Sequence, residues 1–563
     1  MPTATLSRAR VAALLPEPLS PEAWHDLLFA SKVEIESEDG DDLELSVTPD
    51  RLDLLSEGGL ALYLQGATGA ATGLARGHPA AGASTPPLVA DDSVDPLRPT
   101  IGAVRVRAPG DHGLDAGLLA EAIRFQELLH ATIGRNRRAA SLGIYPLERF
   151  ELPVRYALEP ITSVRFVPLD ATDEISGADF FARHPMAAAF GAYGRIGDQC
   201  LTLRDGRGEI LSLPPILNGR GAGEARVGDR ELLLESTGLY ERTVRDALGL
   251  LLVPFVAQRW SVTPVPIEGP RGRRSDGRAL VDPRTIDLPS ASVRSVSGVA
   301  LPSGEVEHRL AKARLGARPH AGGWAVEVPP WRPDLAAPID VVEDVVLSAG
   351  VRSEDGIVPP SRTQGRRLPE IEMRRRIGAY LLGLGFAMPN TPVLLSERTV
   401  ALLGGPLPVH LTHPVSAEYA YVRDRLLASH LDVLGRNTRY GYPQRFAEVA
   451  PVVVRDPGAE AGAATRYHAG ALLASESAGF ADAAALVDYL LRLLDVGSVR
   501  EPSELPGTIP GRAARVRVAG EPVAEIGEIH PRILAELGVP VPVAWAEVDL
   551  SAIYPLIAPA SRA

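Results

Sequence analysis

The stretch WRPDLAAPIDVVEDVV, Trp331 to Val346, changes character halfway along and marks a strand-to-helix corner. Its first part is extended and bounded by prolines, and carries Asp334. Its second part has the apolar spacing of a helix and carries Asp340, Glu343 and Asp344. These three lie at i, i+3 and i+4 and so share one helix face, and the extended segment can return Asp334 to the same place. Hard oxygen donors converging without histidine or cysteine suit Mg2+, with waters completing its octahedron. The competing reading is a helix start, with Asp340 as N-cap, Glu343 at N3 of a capping box, and acidic residues favouring the positive helix end. Spacing by itself leaves both open and leans to capping.

Around this corner lies a chain of 563 residues, too long for one core. Hydrophobic content of 45% with 23% charged residues is that of a globular protein. The single cysteine, Cys200, excludes an internal disulfide framework and a cysteine-rich zinc site. There is no apolar run of bilayer length and no signal-peptide core, so a cytoplasmic, non-membrane protein is expected. A net charge of −12 argues against indiscriminate coating of nucleic acid but permits local RNA contacts. Only Lys32 and Lys312 are lysines. Arginine-rich runs such as GRNRR (Gly134 to Arg138) are therefore weak signs of phosphate binding.

The pattern of elements predicts a mixed α/β, α+β multidomain chain. LSPEAWHDLLFASKVEIE reads as helix then strand, with Ser20 as N-cap and Pro21 in the first turn. The segment Ala75 to Pro99 has no sustained period and reads as a linker. AVRVRA alternates like a strand, and Leu118, Ala122, Phe125, Leu129 and Ile133 line one face of a helix stopping at Gly134. Strands are expected at VRFVPL, QCLTLRD and EILSLPP, then a single helix at ERTVRDALGLLLVPFVAQ. An amphipathic helix, EIEMRRRIGAYLLGLGF, opens the last region. Phosphate-loop, HExxH, dinucleotide and nucleophile-elbow patterns are missing.

Five further segments carry a resemblance. SVTPDRLDLLSEGGLALYLQGATG, LSLPPILNG followed by LLLESTGLYERTVRDAL, and VEVPPWRPDLAAPIDVVEDVVLSAGV occur in that order, then VLGRNTRYGYPQRFAEVA and IPGRAARVRVAGEPVAEIGEIHPRILAELGV. In this order they resemble the beta subunit of phenylalanyl-tRNA synthetase, of the archaeal and eukaryotic cytosolic type. The resemblance implies an N-terminal α/β domain (1–85), a tRNA-editing domain (86–275) and a small helical-plus-strand domain with the carboxylate corner (276–360). It implies, last, a degenerate class II synthetase-like antiparallel-sheet domain (361–563) without catalysis of its own. The implied partners are the alpha subunit, in an alpha2beta2 heterotetramer, and tRNA(Phe). ATP is used by the complex.

Carried over by position, the resemblance makes Asp334, Asp340, Glu343 and Asp344 ligands of a Mg2+ shared with the alpha subunit, which favours metal over capping at the corner. Pro338 stands where the family commonly has an acid. It also makes Leu203, Ser212, Glu235 and Thr237 an editing pocket that hydrolyses tyrosine wrongly attached to tRNA(Phe). There Glu235 accepts the tyrosine hydroxyl, Ser212 and Thr237 hold the ester or its water, and Leu203 gives shape. Two motifs depart from the family: IHD or THD becomes IYP, with Tyr145 and Pro146, and TGTD becomes TGLY, with Leu239 and Tyr240. These keep two alternatives in view, a freestanding tRNA-deacylating editor and a noncatalytic RNA-binding paralogue. Arg436, Asn437, Tyr442, Gln444 and Arg445 match a family stretch, and His413 and His530 are expected in turns or core.

Overall fold

A computed structural model describes residues 1–79, 85–270, 272–349, 358 and 363–557. The chain divides into two compact units, residues 1–357 and 358–563. The expected boundary at 360/361 lies outside the described residues.

The first unit begins with a three-stranded sheet in the order Thr3–Ser7, Asp42–Val47, Val33–Asp39. Its helix Pro21–Ala30 starts as the sequence predicts, with Ser20 Oγ accepting from Ala23 N at 3.2 Å and Pro21 in the first turn. Another helix, Glu57–Thr68, begins within the SEGG run with Ser56 as N-cap, and a Cβ on its Gly59 would stand 1.9 Å from the Asp53 carbonyl oxygen. Only glycine lets the helix start so close to the preceding turn. Trp24, Leu28, Leu45, Leu60 and Leu64 join one core with Phe125, Leu129, Leu234 and Phe255.

Two sheets form the middle of this unit. One has the order His78–Pro79, Ser261–Pro264, Thr100–Arg107, Glu231–Gly238, Ala140–Pro146. The other includes the neighbouring strands Ile210–Leu213, Gln199–Arg204, Arg155–Pro160 and Leu88–Ala90. Alternation along the first sheet sends Val104, Leu142, Leu232 and Leu234 into the core shared with the helices. It sends Ala103, Tyr145 and Leu233 into a second core with Tyr156, Leu201 and Leu203 of the other sheet.

Four expectations are corrected here. The region read as a linker supplies the inner strand Leu88–Ala90 and the fully buried Arg98, elements too short to show a period. The helix expected through Ile133 ends at Ala131, where Thr132 leaves helical backbone with ψ −96°, and Arg135, Asn136 and Arg137 then adopt left-handed backbone with φ of 50°, 53° and 64°. The single helix expected from Glu241 is two, Glu241–Leu251 and Val253–Ala257, Pro254 having no N–H to continue the first. VRFVPL shortens to the two-residue strand Arg165–Phe166.

The small sheet Arg284–Pro289, Gly323–Val328, Gly316–His320 packs with helices Ser290–Ser297, Ser303–Lys312 and Pro338–Leu347 around Leu288, Val306, Trp324, Val341 and Val345. Trp331, just before the corner helix, leaves this core for the one shared by the N-terminal and middle regions.

In the second unit a six-stranded antiparallel sheet runs Gln444–Arg455, Ala463–Ala474, Val543–Asp549, Glu521–Ile529, Thr508–Val518, Val499–Pro502. Helices Pro369–Gly383 and Phe480–Leu493 build one core with it through Ile377, Leu381, Val487 and Leu490. Helix Leu427–Arg436 and Ile533 build another with Leu472 and Trp545. Among the described residues no helix is long and apolar enough to cross a membrane.

Candidate functional sites

Glu235 sits in the middle of the central strand Glu231–Gly238, with Ala103 opposite it on one side and Gly143 on the other. The alternation that buries Leu233 turns Glu235 towards the second sheet, and only 2% of its surface is exposed. A Tyr145 hydroxyl donates to its Oε2 at 3.0 Å, and lies 2.9 Å from Ser212 Oγ. A phenol has one proton, so with it given to the carboxylate the Ser212 hydroxyl donates to Tyr145. Oε1 of Glu235 is buried and accepts no hydrogen bond. Burial pushes this acid up to about 7, against the Tyr145 hydrogen bond, the Arg98 charge and the nearby Thr237 hydroxyl, which pull it down. Burial, and then the Glu235 charge, raise the Tyr145 phenol well above its ordinary value, so it stays a donor.

Ser212 and Glu235 line a cavity of about 420 Å³, together with Tyr145, His130, Arg137 and Asn218. Leu203 and Thr237 stand behind it, fully buried. Leu203 is the cross-strand partner of Ser212. Thr237 is held by Arg98, whose Nε donates to its hydroxyl at 3.0 Å and whose Nη2 donates to its carbonyl at 2.7 Å. Ser141 Oγ lies 3.0 Å from the same hydroxyl. The structure thus brings Ser212 and Glu235 together through Tyr145, while Thr237 belongs to a neighbouring arginine network. Arg98 was not singled out in the sequence, where it falls in the region read as a linker. Its only mark there is an arginine between prolines. Leu239 donates its N–H to the Ala139 carbonyl, and Tyr240 is 66% exposed, so neither bulky residue of TGLY enters the cavity lining.

The carboxylate corner is arranged differently. Its helix runs Pro338–Leu347, with Pro338 in the first turn and Ala337 as N-cap. Asp340 is therefore the third helical residue rather than the cap, and its Oδ2 accepts from Ala336 N at 2.8 Å and Ala337 N at 2.7 Å. Asp334 takes three contacts from the Arg332 guanidinium at 2.8–3.1 Å. Arg332 Nη2 also lies 2.8 Å from Asp344 Oδ2, an ion pair without hydrogen-bond geometry. Glu343 turns outward to Lys32 Nζ at 2.7 Å.

Burial raises Asp334, but the Arg332 charge and hydrogen bonds, with help from Arg51, hold it below the ordinary carboxylate range. Asp344 moves the other way: burial outweighs the same two arginines, and Asp334 adds repulsion. Arg332 itself loses to burial and gains more from the charges of Asp334, Asp344 and Asp53, ending well above its ordinary value. Arg51 and Asp53, from the N-terminal PDRLD run, pair at 2.9 Å and extend the network. Three of the four carboxylates thus face the chain's own cations and the fourth caps its helix. Among the described residues no group of three or more His, Cys, Asp or Glu is placed to hold a metal. As the side chains stand, the four carboxylates expected as Mg2+ ligands do not converge on one point of this chain. As arranged, this donor set does not fit a divalent ion, because Arg332 occupies the space between Asp334 and Asp344.

In the second unit, Gln444 Nε2 donates to the Asn437 and Tyr440 carbonyls, Asn437 to Val433, and Arg445 to Leu384. These residues tie turns together. The His530 ring accepts from Arg532 N at 3.1 Å, capping helix Pro531–Glu536.

Comparison with known proteins finds two domain matches and near full-length relatives. Residues 286–350 match the tRNA synthetase B5 domain, and residues 356–550 match the phenylalanyl tRNA synthetase beta chain CLM domain. The chain is 29% identical to the phenylalanine–tRNA ligase beta subunit of Korarchaeum cryptofilum, over 98% of each chain. It is 30% identical to that of Natronomonas pharaonis, over 95% of this chain and 97% of the other. In fold it is similar to an N-terminal fragment of the phenylalanyl-tRNA synthetase beta subunit from Pyrococcus horikoshii, with TM-score 0.57 and 23% identity, covering 62% of this chain and 99% of the fragment. At 30% identity over nearly its whole length, and with both domain matches in place, the chain belongs to the family of phenylalanine–tRNA ligase beta subunits.

Proposed function

We propose that this chain acts in an alpha2beta2 phenylalanine–tRNA ligase in which the alpha subunit uses ATP to activate phenylalanine and transfers it to tRNA(Phe). The beta chain completes the assembly, helps to hold the tRNA, and removes tyrosine wrongly attached to it. The four-part division at residues 85, 275 and 360 belongs to this reading, as does a cytoplasmic location. The observation that carries it is the match to archaeal beta subunits over 98% of the chain. In this reading the corner carboxylates brace the fold, as a buried arginine network and a helix cap.

Hydrolysis is assigned to the cavity between the two sheets. It has the size of a small-ligand site, and a buried acid with a pKa near 7 lies in its wall. Water adds to the ester carbonyl, the bond to the ribose oxygen breaks, and that oxygen takes the proton. Ser212 and the Glu235 carboxylate are the polar groups of this chain able to orient the aminoacyl end.

The test is phenylalanylation of tRNA(Phe) while this chain is titrated into the alpha subunit of the same organism. Activity that needs both chains and saturates at equal stoichiometry supports the reading. Absence of a complex and of activity would sink it and leave a freestanding deacylase to be tested with tyrosyl-tRNA(Phe).

A further inference from the structure

The run GRNRR, Gly134 to Arg138, follows helix Ala116–Ala131 and stands at the rim of the cavity between the two sheets. Arg137 fixes it there. Its Nη1 donates to the Ile216 carbonyl at 2.9 Å, and its Nη2 donates to the two Glu127 oxygens at 2.8 and 3.0 Å. Arg137, Glu127 and Ile216 all line the cavity, so the loop is tied to both of its walls. The turn is tight. A Cβ on Gly134 would stand 2.6 Å from the Ala140 carbonyl oxygen and 2.7 Å from that of His130, a position only glycine can fill. Ile123, on the helix that leads into this loop, lines the cavity and is 50% exposed. The cavity therefore opens to solvent on the side where the loop lies.

Arg135 and Arg138 flank the anchoring Arg137, and both are exposed. Among the described residues neither side chain has a hydrogen bond or an ion pair. Every other arginine from Arg105 to Arg245 is engaged with a carboxylate or a backbone carbonyl. The chain has 70 acidic residues to 58 basic ones, so a guanidinium left without a carboxylate is the exception. Two such exceptions share one fixed loop at the mouth of one cavity, with their forked donors free for an anion from outside. Tyr240 adds a flat surface beside them. Leu239 N donates to the Ala139 carbonyl at 3.0 Å, continuing the pairing of Gly238 with Ala140, and the next residues along the two strands are Tyr240 and Arg138. Tyr240 is 66% exposed, and a base can stack on its ring.

We propose that this loop seats the single-stranded 3′ end of the tRNA at the cavity mouth: Arg135 and Arg138 bind its phosphates, and Tyr240 stacks one of its bases. This rests on the hydrolytic reading of the cavity. An aminoacyl ester enters only with the strand that carries it, and the phosphates of that strand pass the rim. A net charge of −12 repels a polyanion from the chain at large, so free cations at the mouth draw the strand to the one place where its ester is needed. Phosphate contacts fix the position of a strand without reading its sequence. Arg135 and Arg138 are thus positioning residues, which act on the ester by holding the nucleotides behind it.

The experiment uses the assembled alpha–beta enzyme and two substrates, tyrosyl-tRNA(Phe) and tyrosyl-adenosine, which keeps the ester and carries no phosphate. R135A/R138A is expected to raise KM for the tRNA about tenfold or more with kcat little changed, since each lost contact is a charge-assisted hydrogen bond. It should also flatten the fall of log kcat/KM with log salt by about 1.4, at roughly 0.7 for each single-strand phosphate. R135K/R138K keeps both charges and should keep most of that salt dependence. Y240A should raise the same KM about fivefold without moving the salt slope. On tyrosyl-adenosine the arginine effect should vanish. Where that ester is too poor a substrate to follow, the salt slope on the tRNA decides alone. An unchanged KM and salt slope in R135A/R138A overturn the proposal and leave the hydrolytic reading standing. An equal loss on both substrates overturns it too, and makes the loop a support for the cavity wall. If wild type clears neither substrate faster than E235A, the hydrolytic reading itself fails and takes the proposal with it.

Discussion

The chain buries carboxylates in two places and gives them different partners. At the corner, Asp334 and Asp344 share Arg332, with Arg51 and Asp53 close behind. Between the sheets, Glu235 has a phenol for company and no direct cation. A carboxylate with a guanidinium in bidentate reach keeps its charge, as Asp334 does, whereas one given only a neutral donor is pushed towards its protonated form. The first arrangement suits a joint that must hold. The second suits a group able to bind or move a proton near neutrality. Acidic residues gathered in sequence therefore need not be the chemically poised ones. The single Glu235 is closer to function than the four carboxylates of the corner.

The comparison breaks most severely if the shared cation is removed. Arg332→Met leaves two buried carboxylates facing each other and is expected to cost about 3–5 kcal/mol, read as a fall in the urea midpoint of the first unit. Adding D334N and D344N should restore most of it. A small loss in R332M alone would mean that the carboxylates already have another partner.

The Glu235 side is tested through pH. Its folded pKa of about 7 lies above the ordinary 4.5, so the fold favours the protonated form. That contribution is complete below pH 4.5 and is lost as pH rises through 7. Hydrogen exchange of strand Glu231–Gly238 should show E235Q more protected than wild type at pH 8 by about 3 kcal/mol, with the gap closing towards pH 4.5. Equal protection at both pH values would put Glu235 with the charged corner residues instead.

Smaller effects sharpen the corner. Asp340→Ala removes acceptors from two amides at the helix start and should cost about 1 kcal/mol in unfolding. D340A/E343A should leave the Mg2+ dependence of phenylalanylation unchanged, and a shifted Mg2+ midpoint would restore these two as ligands. Glu343→Gln breaks a half-exposed pair with Lys32 and should change stability by under about 0.5 kcal/mol, less still at high salt.

What the sequence determined by itself was whatever depends on near neighbours. Ser20 and Pro21 start their helix, AVRVRA makes a strand, and the change from proline-bounded to helical spacing after Pro333 marks a real corner. Five motifs in order carried the family. Near-neighbour rules were weakest where elements are short, which is why the strand Leu88–Ala90 and Arg98 disappeared into a supposed linker. Only the tertiary structure decided which partner each acid meets. Asp334, Asp340, Glu343 and Asp344 look alike along the chain, yet Arg332 claims two, backbone amides claim one, and Lys32, brought from the N-terminal region, claims the last. Likewise Tyr145 reaches Glu235 through strand register, over bare backbone at Gly143. The physical reason is the same in both places. Charge and hydrogen-bond partners are chosen by distance in space, at a few ångströms, and spacing along the chain constrains that distance only within one element.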